Sequence, residues 1–282
     1  MKKVLVAGAT GYLGRYLVKE LKKQGFRIRA LARNVEKLED LKEDIDEVFE
    51  AEATKPEALE GVCDGIDVVI SSIGITRQKD GLTYMDVDYQ ANKNLLNQAQ
   101  KSKVSKFVFV SVLNAHLMKE LKIIQAKELF VKSLKESGLD YMVIRPTGFF
   151  SDMQEFLEMA KKGRVSLFGK GENRINPIHG IDLAKVCVDS LIKSDKEMKV
   201  GGPESHTFKE IAELAFKVIN KKPKISTLPI WMIRIILPLM RTFTSSKTYG
   251  PLEFMMSVMT MDVVGDPYGK ERLGDFFEKN AH

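Results

Sequence analysis

The chain has 282 residues, of which 44% are hydrophobic and 29% are charged, as in an ordinary globular protein. The net charge of +6 is modest and accompanies no basic stripe interleaved with aromatic residues, so nucleic acid is not an expected partner. Cys63 and Cys187 form no Cys-x-x-Cys pair, so we expect neither a metal site nor a redox motif. No run of about 18 uncharged apolar residues occurs, so no transmembrane helix is predicted.

Short apolar runs alternate with amphipathic stretches over the first 145 residues. They predict strands at 4–7, 27–32, 47–51, 67–71, 106–111 and 141–145, and helices at 12–23, 35–41, 85–101 and 117–137. Strands that alternate with helices predict an α/β fold with a doubly wound parallel sheet covered on both faces.

The pattern loosens after Pro146. Helices are predicted at 151–162, 181–193, 208–220, 229–242, 250–261 and 270–279, and short strands near 165–168 and 224–227. No low-complexity linker separates the two parts. We therefore expect a first domain over residues 1–150 and a smaller, mostly helical C-terminal substrate or lid region over 151–282, interwoven with it.

A glycine-rich loop joins the first predicted strand to the first predicted helix. Its seven residues are Gly8, Ala9, Thr10, Gly11, Tyr12, Leu13 and Gly14. Gly8 permits a tight turn, Gly11 lets the backbone approach a pyrophosphate, and Gly14 lets the helix pack closely on the sheet. The helix N-terminus offers unpaired N–H groups to the phosphates. The loop predicts a Rossmann-type dinucleotide site.

The end of the second predicted strand distinguishes the two nicotinamide cofactors. An Asp or Glu there would bind the free ribose hydroxyls of NAD, but this chain has Arg33 and Asn34. The planar guanidinium of Arg33 suits a 2′-phosphate, and Arg15 is placed to help. We therefore expect NADP(H), with NAD(H) as the alternative and a solvated surface position as the other interpretation of Arg33.

Small residues follow two further strands. Ser71, Ser72, Ile73 and Gly74 come after the fourth strand, and Ser111 ends the fifth. Small side chains at these strand ends would let the ribose and diphosphate of the cofactor pass over the sheet. The alternative is that these serines are ordinary turn residues.

Three motifs in order resemble those of the atypical short-chain dehydrogenase/reductases of the NmrA-like group. They are the glycine loop; Lys127 followed by the segment 135–150, KESGLDYMVIRPTGFF; and the segment 176–184, NPIHGIDLA. The resemblance covers residues 1–200 well and the remainder loosely. It identifies a family and not a reaction.

The resemblance implies roles for several residues. Lys127 corresponds to the lysine that hydrogen-bonds the nicotinamide ribose, but the tyrosine usually found four residues earlier is replaced by Ile123. In some relatives the lysine itself takes the acid/base role, and Lys127 is the catalytic candidate; a surface helix position is the alternative. Four residues after the sixth strand would line the cofactor: Pro146, Thr147, Gly148 and Phe149.

Asn114 and Phe150 are the substrate candidates. Asn114 follows Ser111, where the family's usual serine has no clear counterpart, and Phe150 would help to floor an apolar pocket, unless it is a core aromatic. His179 and Asp182 are expected to be structural, bracing the helix predicted at 181–193.

Residues 228–241 are unusually apolar and contain the only tryptophan, Trp231. The stretch is too short to span a bilayer. It would form the wall or lid of a pocket, a dimer contact, or an interfacial helix in peripheral contact with a membrane.

These features leave three functions open. The first is an NADP(H)-dependent oxidoreductase that transfers hydride to or from an apolar small molecule. The second is a catalytically silent NAD(P)-binding redox sensor, or an accessory or assembly factor of a membrane complex. The third is an epimerase or dehydratase that keeps its cofactor bound. We expect a cytoplasmic monomer or homodimer without a membrane span, which would be peripheral to the membrane if residues 228–241 bind it.

Overall fold

The computed structural model describes residues 2–75 and 81–281. Its strands, in chain order, are β1 Lys3–Ala7, β2 Arg27–Ala32, β3 Glu47–Glu50, β4 Val68–Ser71, β5 Lys106–Val110, β6 Asp140–Pro146, β7 Val165–Phe168, β8 Arg174–Ile175, β9 Glu197–Gly201, β10 His206–Thr207, β11 Ile225–Leu228 and β12 Asp266–Pro267. Its α-helices are α1 Tyr12–Lys23, α2 Asn92–Lys101, α3 Lys122–Lys135, α4 Phe150–Lys161, α5 Gly180–Asp189, α6 Phe208–Val218, α7 Ile230–Phe243, α8 Ser246–Met259 and α9 Leu273–Lys279.

Eight of these strands form one parallel sheet in the spatial order β12-β9-β6-β5-β4-β1-β2-β3. The central strands β1, β4 and β5 are continuous apolar runs, because helices cover both of their faces. The strand order reverses between β1 and β4, which is the position where open α/β sheets bind ligands. The doubly wound Rossmann-type fold predicted from the sequence is confirmed.

The segment around residue 88 differs from the single long helix predicted at 85–101. Met85–Ala91 is a π-helix, and the regular helix α2 begins only at Asn92. π-helical turns are uncommon and often occur at functional sites, because the wider turn redirects side chains. Two other predicted helices also change: 35–41 is a 3₁₀-helix, and the helix predicted from residue 117 begins at Lys122.

Strands β9 and β12 were not predicted. The sequence of β9, Glu-Met-Lys-Val-Gly, places charged side chains between apolar ones and lacks the continuous apolar run of the central strands. It lies near the edge of the sheet, paired with β6 on one side and with the two-residue β12 on the other.

The residues after 150 contribute both to the large parallel sheet and to a separate C-terminal core. They supply β9 and β12 to the sheet, and α5 packs against α1 beneath it. The rest surrounds a separate core, in which α4, α6 and α9 bury aromatic residues and α8 buries methionines, together with the two-stranded parallel sheet β7–β11. No helix among the described residues is long and apolar enough to cross a membrane.

Candidate functional site

The glycine loop lies over the carboxyl ends of β1 and β4. Gly8 has a φ of +87°, and a Cβ added there would lie 2.8 Å from Ser72 Oγ. A Cβ at Gly14 would lie 2.0 Å from the carbonyl oxygen of Gly8, so the first turn of α1 packs closely on the backbone that directly follows β1. Gly11 is exposed, and a Cβ there would meet only the Gly8 carbonyl, at 3.2 Å. The loop is therefore shaped as a cradle for a diphosphate at the helix N-terminus.

The other loop residues hold this cradle in place. Ala9 and Leu13 are buried in the core beneath the sheet, and Thr10 is half-buried. The Tyr12 hydroxyl accepts a hydrogen bond from the Gly180 amide at 3.1 Å. The Tyr12 ring lies 5.8 Å from that of Phe149, centroid to centroid, so the loop contacts both of the later sequence motifs.

The segment after β4 is braced by a buried amide. Ser71 donates a hydrogen bond to the Asn92 side-chain oxygen at 2.5 Å, and the Asn92 amide donates to the Ile73 carbonyl at 3.2 Å. Ser72 donates to the Ala7 carbonyl at 3.2 Å. Both serine hydroxyls therefore support the backbone of this segment, and Gly74 beyond them is exposed.

Lys127 lies beneath Gly74. Its Nζ is 2.9 Å from Oδ1 of Asp88, and a Cβ added at Gly74 would lie 2.7 Å from the same Nζ. The ammonium also lies 5.6 Å from the centroid of the Phe109 ring. Lys127 is thus held at the carboxyl ends of β4 and β5, and is not a solvated residue of the helix surface.

Asp88, which pairs with this lysine, was missed by the sequence analysis. It is fully buried, and its other oxygen accepts a hydrogen bond from the Ile75 amide at 3.3 Å. Burial raises the pKa of Asp88, and the charge of Lys127 opposes that shift. The π-helical turn brings Asp88 to the crevice, and nothing in the local sequence pattern signals that turn.

The two candidate arginines differ. Arg33, just after β2, has a side chain 58% exposed, and its guanidinium lies 3.8 Å from a carboxylate oxygen of Glu52. Arg15 instead donates to the Lys37 carbonyl at 2.9 Å and pairs with Asp40. Arg15 therefore ties α1 to the segment 35–41, while Arg33 stays at the carboxyl edge of the sheet. Asn34 beside it is exposed and precedes that segment.

Residues after β5 and β6 are mostly engaged within the protein. Ser111 donates to Glu128 at 3.0 Å and accepts a hydrogen bond from Arg145 at 3.3 Å, so its hydroxyl belongs to a buried ion-pair network and not to the crevice. Thr147 donates to the Asn176 carbonyl at 2.6 Å.

The neighbours of Thr147 continue this pattern. Pro146 ends β6 and is buried, and the Gly148 carbonyl accepts a hydrogen bond from the Ile178 amide at 2.8 Å. Phe149 stays half-buried and is the residue of this loop that reaches Tyr12.

The two substrate candidates do not meet in one pocket. Asn114 has a φ of +55° and donates to the Asp262 carbonyl at 3.0 Å, which fastens the loop after β5 to the C-terminal region. Phe150 is fully buried and packs against His179 and Phe276, which corrects its prediction as a pocket floor, because a ring enclosed by the core is closed to a ligand.

His179 and Asp182 have the expected structural roles. Nδ1 of His179 accepts a hydrogen bond from the Ile181 amide at 3.1 Å, and so caps α5. The carboxylate of Asp182 accepts hydrogen bonds from the amides of Lys270 and Glu271, at 3.0 and 2.9 Å. Neither residue acts as a free acid/base group in this structure.

The parallel sheet, the glycine cradle and the lysine at the strand ends define an NAD(P)-binding Rossmann protein of the atypical short-chain dehydrogenase/reductase class. A family model described as NAD(P)H-binding matches residues 8–194, and the chain belongs to this NAD(P)H-binding family. Its cofactor is accordingly a nicotinamide dinucleotide.

Two relatives span most of the chain. Divinyl chlorophyllide a 8-vinyl-reductase of Arabidopsis thaliana is 29% identical over 320 residues, covering 98% of this chain and 76% of the relative. Photosystem II assembly factor Ycf39 of Synechocystis is 31% identical over 248 residues, covering 86% of this chain and 74% of the relative.

Solved structures show the same fold. The NADPH-dependent quinone oxidoreductase of Escherichia coli, solved with NADPH, has a TM-score of 0.78 at 18% identity and covers 99% of this chain and 100% of its own. UDP-glucose 4-epimerase of Thermus thermophilus, solved with NAD, has a TM-score of 0.67 at 19% identity, covering 80% of this chain and 86% of its own.

Proposed function

We propose that this chain is an NADP(H)-dependent oxidoreductase that transfers hydride to or from an apolar small molecule. The observation that carries the proposal is the position of Lys127, whose ammonium lies beneath Gly74 and against the buried carboxylate of Asp88. When bound, the nicotinamide supplies or accepts the hydride. The protein would supply the binding site, the orientation and the proton.

The preference for NADP(H) rests on the carboxyl end of β2. Arg33 is largely exposed there, and the strand carries no carboxylate at its end that would repel a 2′-phosphate. The planar guanidinium of Arg33 matches the geometry of a phosphate, which it would bind through two parallel N–H donors.

The proton would be handled by Lys127. Ile123 occupies the place of the family's usual tyrosine and has no ionisable group, so Lys127 Nζ would donate both to the nicotinamide ribose and to the substrate. Asp88 fixes the position of this ammonium by an ion pair in a region from which water is excluded. Asp88 is thus a positioning residue and Lys127 the catalytic one.

An apolar substrate is supported by the wall beside the lysine. Ile75, one residue beyond Gly74, packs against a cluster that includes Tyr84, Val112 and, from α8, Phe254. Such a wall favours hydrophobic molecules with few polar groups. The relative named as a vinyl reductase is consistent with such chemistry.

The test is NADPH oxidation measured against a panel of quinones, enones and aldehydes. Lys127→Ala should lower turnover by about 100-fold or more, while NADPH affinity falls by no more than about tenfold, the value of one hydrogen bond to the ribose. Lys132→Ala is the matched control, because Lys132 lies on the same helix and is exposed. Equal turnover by wild type and Lys127→Ala would overturn the catalytic assignment.

The second candidate is a catalytically silent accessory or assembly factor. It is favoured by Ile123 in place of the tyrosine and by the relative named as a photosystem II assembly factor. The same experiment separates the two functions. NADPH binding without turnover of any compound in the panel would favour the silent protein.

A further inference from the structure

Helix α7 turns an apolar face toward solvent. Trp231, Ile235, Leu239 and Phe243 recur every four residues and are 60%, 53%, 53% and 79% exposed. Residues at this spacing lie on one face of an α-helix. A continuous row of four large apolar side chains differs from the scattered exposed apolar residues of an ordinary surface.

The opposite face of α7 is attached to the protein. Leu237 packs against the C-terminal core, and Arg241 pairs through its Nε with the buried carboxylate of Glu253 on α8, at 2.8 Å. Since 237 and 241 point inward, the row through 235 and 239 is directed outward by the geometry of the helix. These two contacts therefore hold the apolar face outward.

The charge of the chain is concentrated in the same segment. Residues 214–252 contain seven Lys and Arg residues and no Asp or Glu. The remaining 37 Lys and Arg residues of the chain are balanced by 38 Asp and Glu residues. The whole positive net charge thus belongs to the segment that carries the exposed apolar helix.

Four exposed cations precede the paired strands β7 and β11. Lys221, Lys222 and Lys224 are exposed just before β11, which pairs with β7 in register from Ile225 opposite Val165. The residue before β7 is the exposed Arg164. The basic cluster lies at the start of these strands, and α7 follows directly after the end of β11.

We propose that α7 and this basic cluster form a docking surface for a lipid bilayer that carries anionic headgroups. Apolar side chains with a tryptophan enter the headgroup boundary, and the lysines at the far end of the short strand β11 are attracted to anionic lipids. A symmetric contact between two copies would bring two such segments, each with a charge of +7, together. This inference goes beyond the oxidoreductase proposal and does not depend on it.

The test uses the whole 282-residue chain with two kinds of vesicles, phosphatidylcholine alone and phosphatidylcholine with about a third phosphatidylglycerol. Because Trp231 is the only tryptophan, its emission reports the proposed surface directly. A blue shift and co-flotation should appear with the anionic vesicles and weaken as salt is raised. The triple variant Lys221→Gln/Lys222→Gln/Lys224→Gln should lower anionic-vesicle binding by on the order of 100-fold.

Two further variants separate the apolar contribution from the charge. Ile235→Gln/Leu239→Gln should abolish the blue shift of Trp231. Ile192→Gln, at an apolar residue 90% exposed elsewhere, should leave it unchanged. No binding to anionic vesicles, or binding unaffected by Ile235→Gln/Leu239→Gln, would overturn the proposal. A dimer in sedimentation analysis that dissociates in that double variant would assign the surface to a second copy instead.

Discussion

The ammonium of Lys127 lies 2.9 Å from a carboxylate oxygen of Asp88 that is completely buried. The two residues come from α3 and from the π-helical segment Met85–Ala91, so the pair joins two elements at the carboxyl ends of the strands. Removing one partner of a buried ion pair leaves the other charge uncompensated, which costs about 3–5 kcal/mol. A double-mutant cycle of Asp88→Asn with Lys127→Met should therefore give a coupling energy of about 1–3 kcal/mol in urea unfolding. If the two substitutions lowered the free energy of unfolding additively, the ion pair between Asp88 and Lys127 would be contradicted.

The same pair predicts a pH dependence. In Lys127→Met the opposing charge is gone, so burial alone raises the pKa of Asp88 above that of the unfolded chain. The folded protein then retains a proton that the unfolded chain loses, so stability should fall as the pH rises from about 4. Comparing Lys127→Met with Lys127→Met/Asp88→Asn by urea unfolding across pH isolates this effect. Parallel pH profiles for the two variants would refute it.

Gly14→Ala should disrupt the cofactor cradle. The new Cβ would lie 2.0 Å from the Gly8 oxygen and 2.8 Å from the Ala9 Cα, so the loop backbone must move. We expect NADPH affinity to fall by more than about tenfold in titration calorimetry, since the backbone amides would no longer converge on the diphosphate. Gly274→Ala is the control, because its Cβ would meet only Leu214 at 3.8 Å. An unchanged affinity in Gly14→Ala would count against the loop as the binding site.

Arg33→Ser should weaken NADPH binding by about 10- to 100-fold and leave NADH binding nearly unchanged, because only NADPH carries the 2′-phosphate. Arg27→Ser is a suitable control, since Arg27 is exposed at the opposite end of the same strand. The ratio of the two dissociation constants is the decisive quantity. Equal losses of affinity for NADPH and NADH would show that Arg33 does not bind the 2′-phosphate.

His179 predicts a loss of stability in mild acid. Burial lowers the pKa of His179, and its neutral Nδ1 caps α5 by accepting the Ile181 amide. The cap is fully present above pH 6.5, which is about the pKa of histidine in the unfolded chain. Its stabilisation is lost as the pH falls through the lower pKa of His179 in the folded protein. Between about pH 7 and pH 5, the free energy of unfolding of the wild type should fall by about 1 kcal/mol more than that of His179→Asn. The asparagine side chain can accept the same hydrogen bond but does not take up a proton. Thermal melting curves measure the difference. If the stability of both proteins changed equally with pH, His179 would not be a titrating cap of α5.

Features that depend on residues adjacent in the chain could be predicted from the sequence alone. The glycine loop, the central strands and most helices are features of this kind. A strand buried on both faces requires a run of apolar residues, and a turn with a φ of +87° requires glycine. The loop Gly8 to Gly14 joins β1 to α1 as predicted, and Gly14 packs closely on the backbone that directly follows β1.

Features that depend on contacts between distant segments were decided by the folded chain. Asp88 was overlooked because a π-helical turn, and not its local sequence, brings it to Lys127. Ser111 was predicted in the crevice, but Arg145 and Glu128 on neighbouring elements bind its hydroxyl.

Helix α7 shows the same division. Its apolar composition was evident from the sequence, but which face points outward was not. That orientation follows from the packing of Leu237 and the ion pair of Arg241 with Glu253, because these contacts occupy the inner side and leave Trp231 exposed.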